Sequence, residues 1–536
     1  MDATQTHQTT ESSVSPDYFK VRPIPRQLKD QVQIYFEEQL YSLALTLLTN
    51  ILSSGASSEK YPFVPRLIPP PSHIAFICTL IVHPRTTSRA ESLEARNAAT
   101  MAQRYLHNLL HMVGPIGGRF KQAFQFKTPG NRRQRDAADG EAWTAGSESD
   151  DDDRIGGHVA RETNLWTSGA DFWGVVGWAL NCSVAHPVRW ECWREWLEFM
   201  LDVLRADWAY HLEFSRDMDA ETIETVMQDT LIVSYLSDKA SRNSCFKWVK
   251  KALFADGKAA AASVFQEVFP KETKEAPRQQ VRRKHSEAMD LENDKFGDYD
   301  SDGNSSSDNE IPDPMTLPIE SSLLDPPSFV DLDLSGDEID LYIESIPMRL
   351  KLINMLSDVA VLFGRDFIVV DDFYEEIARE LRQLPFPMFQ AYTRFTGTVL
   401  TISQYIFLMR ELFYQLLPPS HTKPAKVDKS AAADGWITQD ILEQCFLPYP
   451  AAAMACRDNA QVQFLCEQTI IALNADASVA WSEELVDAAE KGVVARLKKV
   501  KQSRGVKDKD TAAREMLESA PQRMKMILAN VRESVA

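Results

Sequence analysis

The sequence has no run of 18 uncharged apolar residues, so we expect no membrane-spanning helix. The first 19 residues are polar and contain no apolar core, so we expect no signal peptide. Seven cysteines are scattered without a C-x-x-C pair, which favours reduced thiols over a disulfide framework. P-loop, Rossmann and nucleophile-elbow motifs are also missing. This lowers the expectation of an enzyme without excluding one, and we expect no cofactor.

The negative charge of the chain is concentrated in two segments. The net charge is -19, but residues 285–340 hold 17 Asp or Glu and one Lys, and residues 148–153 hold five more acids. The remainder is close to neutral. We therefore expect near-neutral folded blocks connected by acidic linkers.

Apolar residues recur at spacings of three and four along most of the chain, and this pattern predicts an all-α protein. We expect an irregular helical array, either a HEAT-like α-solenoid or stacked helical bundles, because no fixed repeat period is visible. The predicted blocks are 18–127, 166–270 (rich in tryptophan), 339–417 and 436–536. The predicted disordered segments are 1–17, 128–165 and 271–338, and residues 418–435 form a loop.

Three local patterns give sharper expectations. Apolar spacing predicts one helix over residues 24–55. The sequence from Ser88 to Glu91 has the form of a capping box, and the helix that it starts should run to the Gly114-Pro115 pair. Residues 365–372 alternate in polarity and are the best strand prediction.

Seven of the eleven tryptophans fall between residues 166 and 208. On a helix, Trp190, Trp193, Leu197 and Trp208 share one broad stripe, which favours a core helix anchored by large rings. The alternative is an aromatic cage or a groove for a partner peptide.

Metal sites are weakly indicated. Asp298, Asp300, Asp302 and Gly303 resemble the start of an EF-hand loop, but Asn309 stands where the loop needs a glutamate, so a solvated linker is favoured. Two further patterns, His107 with His111 and the set Cys182, His186 and Cys192, lack a further ligand at a suitable spacing. We predict no metal site.

A basic stretch, residues 495–509, offers Lys498, Lys499 and Lys501 for contact with nucleic-acid phosphates. No aromatic residues are interleaved with them to stack on bases, so a solvated helix end is the favoured interpretation. Under the alternative, DNA binding should depend steeply on salt and should be lost when the three lysines become Glu.

The stretch "FVDLDLSGDE" resembles a SUMO-interacting motif, with Phe329, Val330, Asp331 and Leu332 as its core. The resemblance implies that this segment adds as a strand to the sheet edge of SUMO or of a SUMO-modified protein. The alternative is that these apolar residues dock on the chain's own helices. Serines that precede acids are predicted phosphorylation sites: Ser147, Ser149, Ser301, Ser307 and Ser335.

Together these patterns predict a non-catalytic scaffold subunit of a nuclear multiprotein complex, associated with chromatin in DNA repair, genome maintenance or transcriptional repression. The basic tetrapeptide at residues 282–285 resembles a nuclear-import signal. A nucleic-acid-binding module that uses the basic C-terminal region is the first alternative, and an enzyme with an unrecognised helical active site is the second. The predicted partners are other protein subunits, and no membrane contact is expected.

Overall fold

The computed structural model describes residues 18–54, 64–126, 155–157, 159, 163–237, 242–274, 335–502 and 510–534. Helices contain 73% of these residues, which confirms the all-α prediction. Two three-residue strands, β1 (Val21–Pro23) and β2 (Arg66–Ile68), pair in parallel at the N-terminal end. Within the described ranges, no helix is both long enough and apolar enough to cross a membrane.

The helices before residue 275 belong to the first two predicted blocks. They are α1 (Arg26–Glu37), α2 (Tyr41–Ser53), α3 (Pro71–Val82), α4 (Leu93–Gly117), α5 (Phe120–Ala123), α6 (Leu165–Ser168), α7 (Phe172–Ala185), α8 (Pro187–Phe214), α9 (Ala220–Met227), α10 (Leu231–Ser237), α11 (Arg242–Leu253) and α12 (Ala259–Val264).

The helices after residue 334 begin with the longest helix of this part. They are α13 (Gly336–Phe363), α14 (Val370–Gln383), α15 (Phe386–Thr393), α16 (Ile402–Leu416), α17 (Pro424–Val427), α18 (Lys429–Ala433), α19 (Gln439–Ile441), α20 (Cys456–Ala475), α21 (Glu483–Gln502), α22 (Thr511–Glu518) and α23 (Ala520–Ser534). Short 3₁₀ turns lie at Pro84–Thr86 and Gly364–Asp366, and a π-helical turn lies at Leu442–Phe446.

The single helix predicted over residues 24–55 is wrong, because the chain forms α1 and α2 with a tight turn between them. Gln39 takes a left-handed conformation with φ of +60°. The amide of Leu40 then donates to the carbonyl of Tyr35 at 2.8 Å, which closes a Schellman-type end on α1. Glycine usually occupies this position, so the sequence carries no visible stop signal here.

The predicted capping box at Ser88 is also wrong. Helix α4 starts one turn later, where the Ser92 hydroxyl accepts from the Ala95 amide at 3.1 Å. Ser88 instead accepts a hydrogen bond from Arg189 at 3.3 Å, so its side chain is engaged in a tertiary contact.

The predicted break at the Gly114-Pro115 pair is present in the structure. Gly114 has φ of +70°, and a β-carbon there would lie 2.5 Å from the Tyr18 ring.

The tryptophan-rich block is confirmed as core. All seven of its tryptophans are buried, and Trp193 and Trp196 on α8 have no exposed surface. Their rings meet edge to face at 5.6 Å, while Trp166 stacks on Phe124 at 4.7 Å. These rings join α8 to the neighbouring helices by burying large apolar areas.

The strand predicted at residues 365–372 is wrong. Residues 364–366 form a 3₁₀ turn and Val370 begins α14. Helix α14 carries one apolar stripe, on which Phe373, Ile377 and Leu381 face the core. Burial of this stripe favours a helix over the strand suggested by the alternating polarity of residues 365–372.

Helix α13 packs against helices that precede the acidic segment 275–334. Arg349 on α13 is fully buried, and its guanidinium donates to the carbonyls of Leu253 at 2.6 Å and Ala255 at 2.8 Å. The same group lies over the Tyr342 ring at 4.0 Å. The described residues on both sides of the segment thus belong to one compact unit.

We predict that Arg349→Met lowers the free energy of unfolding by about 3 kcal/mol, because the buried carbonyl oxygens that accept from Arg349 are left without a charged donor. Urea denaturation at pH 7 measures this loss. Glu344→Gln, an exposed change on the same helix, is the control and should shift the free energy by less than about 0.5 kcal/mol. Equal effects of the two changes would contradict the role given to Arg349.

Candidate functional site

A cleft of about 730 Å³ lies at the N-terminal end of the described helices. We call it the N-terminal cleft. Its walls are the α1–α2 turn at residues 39–42, the α3–α4 connection at residues 83–95, Thr163, and residues 269–270. Four segments that are far apart in the sequence therefore meet around one concave surface.

His83 organises the floor of this cleft. It is 3% exposed, and its ring meets the Phe269 ring edge to face at 5.1 Å. Its Nδ1 accepts from the Arg85 amide at 3.2 Å, and its Nε2 lies 3.0 Å from the Thr163 hydroxyl. Because Nδ1 accepts, we assign the proton of the neutral ring to Nε2, which then donates to Thr163. Both nitrogens are engaged, so His83 holds the turn that presents Arg85.

A buried ion pair supports the cleft from below. Arg189 on α8 donates through Nε to Glu272 at 2.9 Å and through Nη2 to the Val82 carbonyl at 2.6 Å. The second Glu272 oxygen accepts from the amides of Val268 at 3.0 Å and Phe269 at 3.3 Å. Burial raises the pKa of the Glu272 carboxyl, and the Arg189 guanidinium opposes that rise. This pair fixes the loop at 268–272 against the end of α3.

The rim of the cleft carries both signs of charge. Arg85 is exposed and Arg89 is half-buried, and an Arg89 Nη1 donates to the Lys271 carbonyl at 3.3 Å. Glu91 and Glu94 are exposed near the N-terminus of α4. The cleft thus combines buried rings, several hydrogen-bond donors and a rim that carries charges of both signs.

Ser335 is the one predicted phosphorylation site that the structure describes. It is exposed at the N-cap of α13, where its hydroxyl donates to a Glu338 oxygen at 2.8 Å and accepts from the Glu338 amide. The other Glu338 oxygen accepts from Lys258 Nζ at 2.8 Å, which ties the start of α13 to the turn before α12. Lys258 holds the pKa of the Glu338 carboxyl at about 2. This capping box starts α13 at Gly336, three residues before the predicted block.

The remaining motif residues lie outside the described residues. These are the SUMO-like core Phe329, Val330, Asp331 and Leu332, the serines Ser147, Ser149, Ser301 and Ser307, and the EF-hand-like residues Asp298, Asp300, Asp302 and Gly303. Their roles stay predictions.

The three lysines of the basic stretch differ in their surroundings. Lys498 and Lys501 are exposed near the end of α21. Lys499 donates to the carbonyls of Ala451 and Ala452, the second at 2.8 Å. The structure thus leaves two lysines available for phosphate contact and uses the third to fasten α21.

The metal patterns do not assemble in the described part of the chain, where no three His, Cys, Asp or Glu side chains come together as a ligand set. His107 packs against Phe199 with ring centroids 5.2 Å apart, and its Nδ1 lies 3.9 Å from an Asp202 oxygen. Cys182 is fully buried, and burial raises the pKa of its thiol.

We predict that the stabilisation by Glu338 depends on pH. The carboxyl pKa falls from 4.5 to about 2 on folding, so its contribution is fully present above about pH 4.5 and is lost as the pH falls toward 2. Glu338→Gln retains the capping box but loses the charge that binds Lys258. In urea titrations, the difference between wild type and Glu338→Gln should shrink between about pH 5 and about pH 3.

The control for this experiment is Asp337→Asn, which removes an exposed first-turn acid that forms no ion pair with a described residue. A difference for Glu338→Gln that stays constant across the titration, or that equals the difference for Asp337→Asn, would rule out the Lys258 contact as its source.

We predict that Lys499→Met lowers the free energy of unfolding by about 1 kcal/mol, because two carbonyls lose their charged donor. Lys498→Met should leave the free energy of unfolding unchanged. If the chain binds DNA, Lys498→Glu with Lys501→Glu should weaken binding without changing stability, as followed by fluorescence anisotropy at two salt concentrations. If Lys498→Met lowered the free energy of unfolding as much as Lys499→Met, the structural role given to Lys499 alone would be refuted.

Sequence reasoning missed the N-terminal cleft. Its residues carry no motif, and its walls come from positions near 41, 85, 163 and 270. No known family model matches the sequence, and no curated protein matches it significantly.

Proposed function

We propose that this chain is a non-catalytic helical scaffold subunit of a nuclear multiprotein complex, associated with chromatin in DNA repair, genome maintenance or transcriptional repression. The observation that carries the proposal is the burial of Arg349 between helices that precede and follow segment 275–334. Both flanks of this acidic segment are thereby anchored to the same folded unit. Such a unit can present a partner-binding segment from a defined place.

The helices are proposed to form an irregular HEAT-like array, with stacked bundles as the alternative. Successive helices contact each other in the pairs α1 with α2, α3 with α4, and α7 with α8. Helix α8 also contacts α4 and α13, which are distant in the sequence, as stacked layers require. Arrays of this kind expose long surfaces on which several partners can bind.

The proposal assigns a partner contact to the segment with Val330 and Leu332 at its centre. Alternating apolar side chains can enter a groove while the backbone adds to a sheet edge of SUMO or a SUMO-modified protein. The surrounding acids, and a phosphate on Ser335, would attract a basic rim. Residues 282–285 are proposed to direct import into the nucleus.

We predict that the tagged full-length chain, purified from nuclei of its native host at moderate salt, is recovered with other nuclear subunits in stoichiometric amounts. The same material should bind immobilised SUMO. Val330→Asp with Leu332→Asp should abolish the SUMO contact, because carboxylates cannot enter an apolar groove. Quantitative mass spectrometry and a pull-down are the measurements.

The matched control is Leu323→Asp with Leu324→Asp, which places the same two charges in the same acidic segment but outside the motif. Recovery of the wild type as a lone cytosolic monomer would sink the scaffold proposal. If the two double variants bound SUMO equally well, the SUMO contact could not be assigned to the segment with Val330 and Leu332.

A further inference from the structure

Two lysine-bearing segments that are distant in the sequence come together in the C-terminal part of the fold. The first is the loop that follows α16, in which Lys423, Lys426 and Lys429 are exposed. The second is the end of α21, where Lys498 and Lys501 are exposed. Their proximity is a product of tertiary contacts.

The short segment between the π-helical turn and α20 connects the two lysine groups. Lys499 on α21 donates to the Ala452 carbonyl at 2.8 Å, and the Ala452 amide donates to the Leu416 carbonyl at 2.7 Å. A second contact lies beside the first, because the hydroxyls of Thr422 and Tyr449 are 2.8 Å apart. The end of α21 and the start of the loop are therefore fixed on either side of the same segment.

These segments carry an excess of positive charge. Residues 416–430, 447–455 and 494–502 contain seven Lys or Arg and a single acid, Asp428. The Asp428 carboxylate caps α18 by accepting from the Ala431 amide at 3.0 Å. Outside its two acidic segments the chain is close to neutral, so this part of the surface is a local concentration of cations that suits a polyanion.

A row of rings lies beside the lysines. The centroid of the His421 ring is 6.3 Å from that of Tyr414 and 6.3 Å from that of Tyr449. His421 is buried, and its Nδ1 donates to the Pro418 carbonyl at 2.8 Å, which fixes the turn that leads to Lys423. Tyr414 is 37% exposed, so part of its ring is open to a ligand.

Two carboxylates near Tyr414 oppose an anion, and both are paired with one arginine. Arg410 lies 2.5 Å from an Asp371 oxygen and 2.9 Å from a Glu411 oxygen. Its guanidinium is 5.9 Å from the centroid of the Tyr414 ring. One negative charge is left over beside the ring, against five exposed lysines, and the exposed Asp371 side chain is screened by water and salt.

Exposed lysines beside an exposed aromatic ring favour a single-stranded nucleic acid over other polyanions. Lysines bind backbone phosphates without reading the sequence. Unpaired bases stack on aromatic side chains, and every base has a face that can do so. An acidic peptide would engage the lysines and leave the ring unused, whereas the bases of a duplex already stack on one another.

We propose that a basic face made of Lys423, Lys426, Lys498, Lys501 and Tyr414 binds single-stranded nucleic acid. The lysines hold the backbone phosphates, and a base stacks on the Tyr414 ring. This face adds to the basic stretch of α21 a loop and a ring that the sequence does not place beside it. The role goes beyond the scaffold function and does not depend on it.

The test uses fluorescence anisotropy with the full-length chain at two salt concentrations. The probes are a labelled oligothymidine of about 16 nucleotides, an abasic oligomer of the same length and charge, a duplex of the same length, and polyglutamate. We expect saturable binding of oligothymidine that weakens as salt rises, with each of the other three probes bound more weakly.

Each side of the basic face has its own double variant. Lys423→Glu with Lys426→Glu, and Lys498→Glu with Lys501→Glu, should each weaken binding of oligothymidine and of the abasic oligomer about tenfold or more at low salt. The matched control is Lys271→Glu with Lys274→Glu, which makes the same change of charge at exposed residues after α12. It should weaken binding by less than about twofold.

A change of the ring separates stacking from charge. Tyr414→Leu should weaken binding of oligothymidine about tenfold and leave binding of the abasic oligomer unchanged, whereas Tyr414→Phe should bind both as wild type does. The proposal is overturned if the wild type does not bind oligothymidine saturably, or if the abasic oligomer, the duplex or polyglutamate binds as tightly. It is also overturned if the variant with both loop lysines changed binds as wild type does.

Discussion

The buried guanidinium of Arg349 is the contact on which the arrangement of this chain depends. The cation is taken out of water, and its described hydrogen-bond acceptors include no carboxylate. Carbonyls at the end of α11 supply the negative potential, as the C-terminus of a helix does. These donors are satisfied with α13 placed against the end of α11, so the chain after the acidic segment returns to the helices before it. Apolar packing alone would define the position of α13 less specifically than these directional hydrogen bonds do.

Arginines fasten other helices in the same way. Arg189 joins α8 to the loop after α12 through Glu272, and Arg523 on α23 reaches the buried Glu467 on α20 with two hydrogen bonds of 3.0 Å. Arg496 on α21 is fully buried and donates to the Leu447 carbonyl at 3.0 Å. These contacts connect elements that are distant in the sequence. They explain how a near-neutral set of helices is held together by specific contacts while the excess negative charge of the chain lies in other segments.

The all-α class and the core role of the tryptophans could be predicted because both follow from periodicity and size of the side chains. The starts and stops of the helices could be predicted only where local chemistry decided them, as at the Gly114-Pro115 pair. Gln39 ends α1 although it is not glycine, and Ser88 fails as a cap because Arg189, a hundred residues later, engages it. Tertiary contacts decide these cases, and a single sequence does not display them.

The cleft illustrates the same limit for function. Its histidine carries no motif, and its position becomes meaningful only when Arg85, Thr163 and Phe269 surround it. The Arg189–Glu272 pair holds two of these walls together, so one buried interaction both completes the core and shapes a surface.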